Sequence, residues 1–453
     1  MCAECCVMKI KEIKIRNFRG FQSKSFEFND FVTLVVGNNT SGKTTLLKAI
    51  QVALGAYLKS LSTIPNDKAY NCNFSKSDVY RSYIPSKKDY FYPEERTRID
   101  VKAEYLTTIP DGHGSYSFVL EPISWWREYT GNSTTHSNAC AGELIRLVKE
   151  MEEQRKSVES ANNAVYPLVL SFGANRIDNQ YRSANKTKER ASRIAKAYKS
   201  ALKETVDFQS AFDWLYRYDQ SLKKGQEFEG TKNAFINALQ KAIPALSEIE
   251  VDTKNNELSA LVSVTGTPPV YQTFEYMSDG FKAIICIVAE IAHRSIELNG
   301  FLKEDAVRKT PGVVIIDELD LYLHPRWQRH ILKDLQAAFP LIQFIVSSHS
   351  PFIIQSVHSR NLISLDGIND STDPVYRSLE EIVIKEMNMP NIQRSQKYME
   401  MLGLAEEYYK LVKSGKGYED ESLELKKKLD SIEESFIDDP AYLALLRAER
   451  KSK

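Results

Sequence analysis

No charge of either sign predominates in this chain. Its 453 residues carry 60 Lys plus Arg against 60 Asp plus Glu, a formal net charge of zero, so contact with nucleic acid has to come from a local patch and not from a global field. Cysteine is scarce, with six residues in the whole sequence, too few for a disulfide framework in so long a chain. Cys2, Cys5 and Cys6 form a C-x-x-C-C cluster, but no second ligand pair stands nearby at zinc spacing, and a role without metal is expected. The strand pattern already opens at Met8, which makes Met1–Val7 read as an upstream-start extension. Long apolar runs are missing too. The longest, AIICIVAEIA, is broken by Glu290 and followed by His293 and Arg294, which excludes a membrane span. No charged-then-apolar leader precedes it, so a cytoplasmic protein is expected.

What is present is the composition of a folded globular chain, 42% hydrophobic with 23 tyrosines, and its length calls for two or three packed units. Short β patterns at Ile13 and Ile15, Phe26 and Phe28, and Val32–Val36 precede helical spacing over 44–58, and IDVKAEYL reads as a further strand. Gly, Ser, Thr and Asn enrich residues 107–138, which predicts a loop-rich excursion. Helical spacing then covers 141–162, 184–204, 206–219 and 229–247, interrupted by the strand-like VYPLVLSF. Strands are expected again at 258–264 and 271–276, followed by a helix, GVVII, a helix from Pro325, IQFIVS and NLISL. Helices alternating with apolar strands argue for a mostly parallel α/β sheet. The expected division is an N-terminal lobe over 1–138, a mainly helical insertion or lid over 139–254, a C-terminal lobe over 255–366 and a helical tail over 367–453.

Gly37-Asn38-Asn39-Thr40-Ser41-Gly42-Lys43-Thr44 fits G-x-x-x-x-G-K-[ST], lies between the strand VTLVV and the helix that Thr45 continues, and so has the context the motif requires. The glycines let backbone amides wrap phosphates, Lys43 reaches the outer phosphates and the Thr44 hydroxyl ligates magnesium, which makes ATP and Mg2+ the expected cofactors. The strand GVVII ends at Asp317, an expected second magnesium ligand, and Glu318 is the natural base or water-positioning group. IQFIVSSHSP ends a third apolar strand at Ser347, Ser348 and His349, where a histidine can bond the terminal phosphate. YMSDGFKAII opens another apolar helix with Ser278 or Asp279 at the cap and Gly280 in its first turn.

The order of these pieces, with Leu323-His324-Pro325 and Ser348-His349-Ser350-Pro351, resembles the ABC-type ATPases of the RecF, SMC and Rad50 lineage. The resemblance implies an ABC-type P-loop ATPase head with a helical insertion. It also implies a head-to-tail dimer in which Ser278 and Gly280 contact ATP held by the opposite subunit and Asp320 lies in the loop that crosses the seam. Arg19, on the entry strand, would lie near the nucleotide. The signature departs from Leu-Ser-Gly-Gly-Gln at Met277, Asp279 and Phe281. Within the lineage, Ile13–Phe21, Ser278–Phe281, Ile316–Gln328, Phe344–Pro351 and the terminal DDPAYLALL resemble the Septu-type anti-phage ATPases. Those work beside a separate HNH-type nuclease, and related pairs occur with retrons. The implied activity is ATP-gated control of nuclease attack on DNA.

Two patches stand outside that scheme. Lys186, Lys188, Arg190, Arg193 and Lys196 form a basic stripe able to meet a phosphate backbone, and Trp125-Trp126 beside Arg127 reads as a partly buried corner. A RecF-like DNA-repair ATPase is the rival reading. An overcoming-lysogenization-defect nuclease would need an Asp-x-Asp pair that the residues after Arg360 lack, and a Rad50-type protein would need a long heptad arm.

Overall fold

The computed structural model describes residues 8–110, 116–156, 165–174, 192–203, 209–225, 228–252, 255, 257–264, 266–366, 372–387, 403–404, 407–408, 410–411, 414 and 420–433. The chain enters through β1 (Met8–Phe18), turns at Arg19 and Gly20 into β2 (Phe21–Glu27), and reaches β3 (Val32–Val36), which leads to helix α1 (Lys43–Ser60). A short hairpin, β4 (Ser82–Ile84) and β5 (Asp89–Phe91), precedes β6 (Arg98–Pro110) and β7 (Tyr116–Glu128). Helix α2 (Asn138–Lys156), β8 (Leu168–Phe172) and helices α3 (Arg193–Tyr198), α4 (Gln209–Lys223) and α5 (Glu229–Ala242) follow. A meander of β9 (Leu246–Asp252), β10 (Glu257–Val262) and β11 (Val270–Thr273) then delivers the chain to α6 (Asp279–Asn299). The last part of this body comprises β12 (Gly312–Ile316), α7 (Pro325–Gln328), α8 (Ile331–Ala338), β13 (Ile342–Ser347), α9 (Pro351–Gln355), β14 (Leu362–Ser364) and α10 (Leu379–Lys385). The contacts divide into two units, residues 1–388 and 389–453, the second containing α11 (Asp420–Glu433).

One five-stranded sheet organises the first unit, in the order β14-β3-β13-β12-β8, and every pairing in it is parallel. Strands β3, β8, β12 and β13 are buried at every residue, which is why they read as unbroken apolar runs and not as alternating ones. Parallel strands with apolar faces need cover, and α1 and α6 supply much of it, with Leu46, Leu47, Ile50 and Leu54 of α1 and Ile284, Ile287, Val288 and Ile291 of α6 all buried. A second, antiparallel sheet has the order β2-β1-β6-β7. Gln343, buried in β13, ties the two sheets together: its carboxamide accepts from Ile10 N (2.9 Å) and donates to Ile10 O and Asn29 O (2.8 Å each).

Three sequence expectations change. Residues 107–138 are not chiefly loop, because β6 and β7 pair in register from Arg98↔Glu128 to Pro110↔Tyr116. Trp125 is buried there with its indole N–H on Ala53 O, while Trp126 on the other face lies under the Arg98 guanidinium; Ser124, between buried Ile123 and Trp125, is exposed. The helical spacing over 229–247 ends at Ala242, and β9 starts at Leu246. Arg19 lies not on the entry strand but in the turn after it, at φ 47.

Candidate functional site

Strand order brings the site together. β13 lies between β3 and β12, and the carboxyl ends of the three carry the phosphate loop, Ser347–His349 and Asp317–Asp320 respectively, the edge where open parallel sheets bind ligands. Asp317 is nine-tenths buried. Its Oδ2 accepts from Thr44 Oγ1 at 3.0 Å and its Oδ1 from the Ser347 hydroxyl. Ser347 Oγ in turn accepts from Glu318 N at 2.8 Å. One chain of hydrogen bonds thus runs across three strand ends from Thr44 to the Glu318 backbone. Glu318 itself holds φ 50, a left-handed conformation that costs a non-glycine residue on the order of 1 kcal/mol and points to function when the surroundings enforce it.

The loop is built for an anion. Gly42 caps α1 at φ 105, and a Cβ there would meet the Phe21 ring at 2.7 Å, so both backbone angle and space require glycine. Asn38, Asn39 and Thr40 form an exposed turn, with Ser41 N bonded back to Asn38 O at 3.2 Å. Lys43 is buried and folds onto the loop, donating to Gly37 O (2.7 Å) and Asn38 O (3.1 Å). Burial draws its ammonium below the usual lysine value, against the upward pull of Asp317, Asp366, Glu318 and Asp320. That concentration of carboxylates, with the Thr44 hydroxyl among them, suits a hard divalent cation. Magnesium takes one or two protein ligands and the rest from phosphate and water, and Thr44 and Asp317 are placed to be those two.

Asp320 accepts from Ser348 Oγ (2.6 Å) and His349 N (3.2 Å), so its carboxylate holds the segment bearing His349 within the same chain. His349 is half-buried. Ser278 occupies the cap position of α6 but makes no side-chain cap bond, and both it and Asp279 are exposed. Gly280 is buried, and a Cβ on it would stand 2.6 Å from Tyr322 O. Arg19 turns its Nε onto Asp78 Oδ1 at 2.7 Å. Arg193 and Lys196 lie on α3, whereas Lys186, Lys188, Arg190 and the Cys2, Cys5, Cys6 cluster fall outside the described residues.

Sequence reasoning missed one member. Asp366, just past β14, accepts from Asn38 N at 2.7 Å; a contact between residues so distant in the chain has no local signal. Gln51, an unassigned residue, is buried on α1 with its Nε2 on Ser171 Oγ at 2.7 Å, which links α1 to β8.

A family model described as an AAA domain matches residues 12–256, more than half of the sequence. The chain belongs to the AAA domain family. The retron Vc95 probable ATPase of Vibrio cholerae serotype O1 biovar El Tor is 24% identical, over 90% of this chain and 84% of that protein. The Septu protein PtuA of Bacillus thuringiensis is 25% identical over 83% of this chain and 80% of its own length. Among solved structures, the SMC head bound to the C-winged helix domain of ScpA aligns at TM-score 0.39 and 13% identity, over 77% of this chain and 92% of that one. The protein is an ATPase built on an α/β fold. Among the described residues no helix is long and apolar enough to cross a membrane.

Proposed function

We propose that this protein is the ATP-binding and ATP-hydrolysing component of a cytoplasmic prokaryotic anti-phage system of the Septu or retron kind, and that it controls a separate HNH-type nuclease acting on DNA. The hydrogen-bonded chain from Thr44 through Asp317 and Ser347 to Glu318 is the observation that supports this reading most. The residues of Gly37–Thr45 cradle the phosphates with their amides, and Lys43 leaves its loop carbonyls for the outer phosphates. Thr44 and Asp317 would hold Mg2+, which when bound would supply positive charge against the phosphate oxygens. Glu318 orients the attacking water and accepts its proton, and His349 contacts the terminal phosphate and reports its loss to the strand it ends.

In the same reading Ser278 and Gly280 face ATP bound by a second copy. The first-turn amides of α6 offer partial positive charge to a phosphate, and Asp320 couples this seam to His349. Two copies then close head to tail around two nucleotides, and closure is what the nuclease senses. Arg19 keeps a supporting place beside the loop through Asp78.

The test is affinity purification of Glu318→Gln protein with and without ATP, with the co-purified protein and nucleic acid identified. An HNH-type nuclease enriched by ATP is the expected result. Recovery of replication or repair proteins in its place would turn the assignment to a RecF-like role.

A further inference from the structure

A cavity of about 640 Å³ opens among α3, α4 and the second half of α6, on no part of the site described above. Among the described residues its lining carries five cations, Arg193, Lys196, Lys199, Arg217 and Arg294, against one carboxylate, Glu297. In a chain of zero net charge such an excess is local by construction. Three helices contribute to it, so the sequence stripe at Arg193 and Lys196 is only one wall.

The cations differ in how they are held. Arg294 is buried and fixed: its Nε donates to Glu290 Oε1 at 2.6 Å and its Nη1 to Ala197 O and Lys199 O. Arg193 lies 3.6 Å from Glu297, an exposed guanidinium beside a buried acid. Arg217 spends its Nε on Asp213 O at 2.9 Å and is exposed, as is Lys196. The floor is aromatic. Trp214 packs on Tyr218 (centroids 5.0 Å apart) and on His293 (5.2 Å). His293 is 8% exposed, with its Nδ1 3.9 Å from Glu290 Oε2.

We infer that this cavity binds a phosphate-bearing nucleoside: cationic side chains for the phosphate, the Ser200, Ser210 and Ser221 hydroxyls for polar contacts, and the aromatic floor for the base. The volume lies in the range of small-molecule sites, and planar bases with phosphates are what cations interleaved with aromatic rings recognise. The source of the nucleoside is either a free nucleotide or the end of a nucleic-acid strand.

Fluorescence anisotropy on the full chain tests this with a labelled, 5′-phosphorylated thymidine hexamer. Lys196→Glu with Arg217→Glu alters two exposed side chains and should lower affinity by about tenfold and make the salt dependence shallower by about 1.4 in slope, two phosphate contacts on a single strand. Lys43→Ala should leave the hexamer's affinity unchanged; loss there with no effect of the charge-reversed pair would place binding at the phosphate loop and overturn the inference. Displacement of the hexamer by excess thymidine monophosphate identifies a free nucleotide as sufficient, and displacement by unlabelled hexamer alone identifies a strand end. Equal displacement by a glutamate-rich peptide, or no binding of the hexamer, would overturn the assignment.

Discussion

Gly280→Ala separates packing from catalysis in the α6 cap. The added methyl would stand 2.6 Å from the Tyr322 carbonyl oxygen and 3.5 Å from the Trp327 ring. The first distance is well inside contact, and its partner is backbone in a turn where Tyr322 already holds φ 67, so relief requires the turn to move. Overpacking of this kind costs about 1–3 kcal/mol, and alanine's better helix propensity returns at most about 1 kcal/mol. The net expectation is a loss of about 1 kcal/mol. For a chain this long that lowers the thermal midpoint by about 1 °C, read by circular dichroism. The moving turn also carries Asp320, which holds Ser348 and His349, so ATP turnover should fall as well. Gly142→Ala in α2 is the control: its Cβ would meet nothing closer than Asn138 Cβ at 3.9 Å, and helix propensity alone should raise the midpoint. If Gly280→Ala followed Gly142→Ala upward, the close approach of α6 to the Asp320–Tyr322 turn would be refuted.

Lys43→Ala should abolish ATP binding in calorimetry, since the loop amides cannot replace the cation; unchanged affinity would reject the phosphate-loop assignment. Arg127 is fully buried and donates to Val52 O (3.0 Å), Cys72 O (3.3 Å) and Asn73 Oδ1 (2.7 Å), with burial pulling its guanidinium down to about 10. Arg127→Met leaves those three acceptors unserved and should cost about 3 kcal/mol in urea unfolding; a change under about 0.5 kcal/mol would mean they find other donors. Burial pushes the Glu290 carboxyl up, but Arg294 and His293 outweigh it and hold the group below its ordinary value. The stability this gives is present above the ordinary carboxylate range and is lost as pH falls through the depressed folded value. Arg294→Met should therefore cost about 3–5 kcal/mol at pH 7 and much less at pH 4, where Glu290 can be neutral. An equal loss at both values would show that the guanidinium acts by packing alone.

The parts of the fold that were legible in sequence were those whose environment is uniform along the chain. Val32–Val36, Gly312–Ile316 and Ile342–Ser347 are buried on both faces, so burial writes itself as an unbroken apolar run, and the phosphate loop carries its own spacing. β7 was not legible because it lies in a stretch rich in Gly, Ser, Thr and Asn, a composition that imitates loop. β9 alternates in burial directly after a helix and was absorbed into the preceding helical period. At the site, residue types that anchor motifs were recognisable, while those that act by position were not. Ser347 reads as the end of a strand until β13 is seen between β3 and β12, where its hydroxyl bridges Asp317 and the Glu318 amide. Asp366 is invisible until β14 pairs with β3 and brings it to Asn38.

In the function proposed above, ATP joins two copies through Ser278 and Gly280 facing Lys43 of the other. This joining is tested most directly by the solution mass of Glu318→Gln protein, measured by light scattering after size exclusion with and without ATP and Mg2+. ATP and Mg2+ should at least double the mass found without nucleotide, and adding Ser278→Arg should abolish the increase while nucleotide binding persists. A mass that does not change although ATP is bound would contradict it.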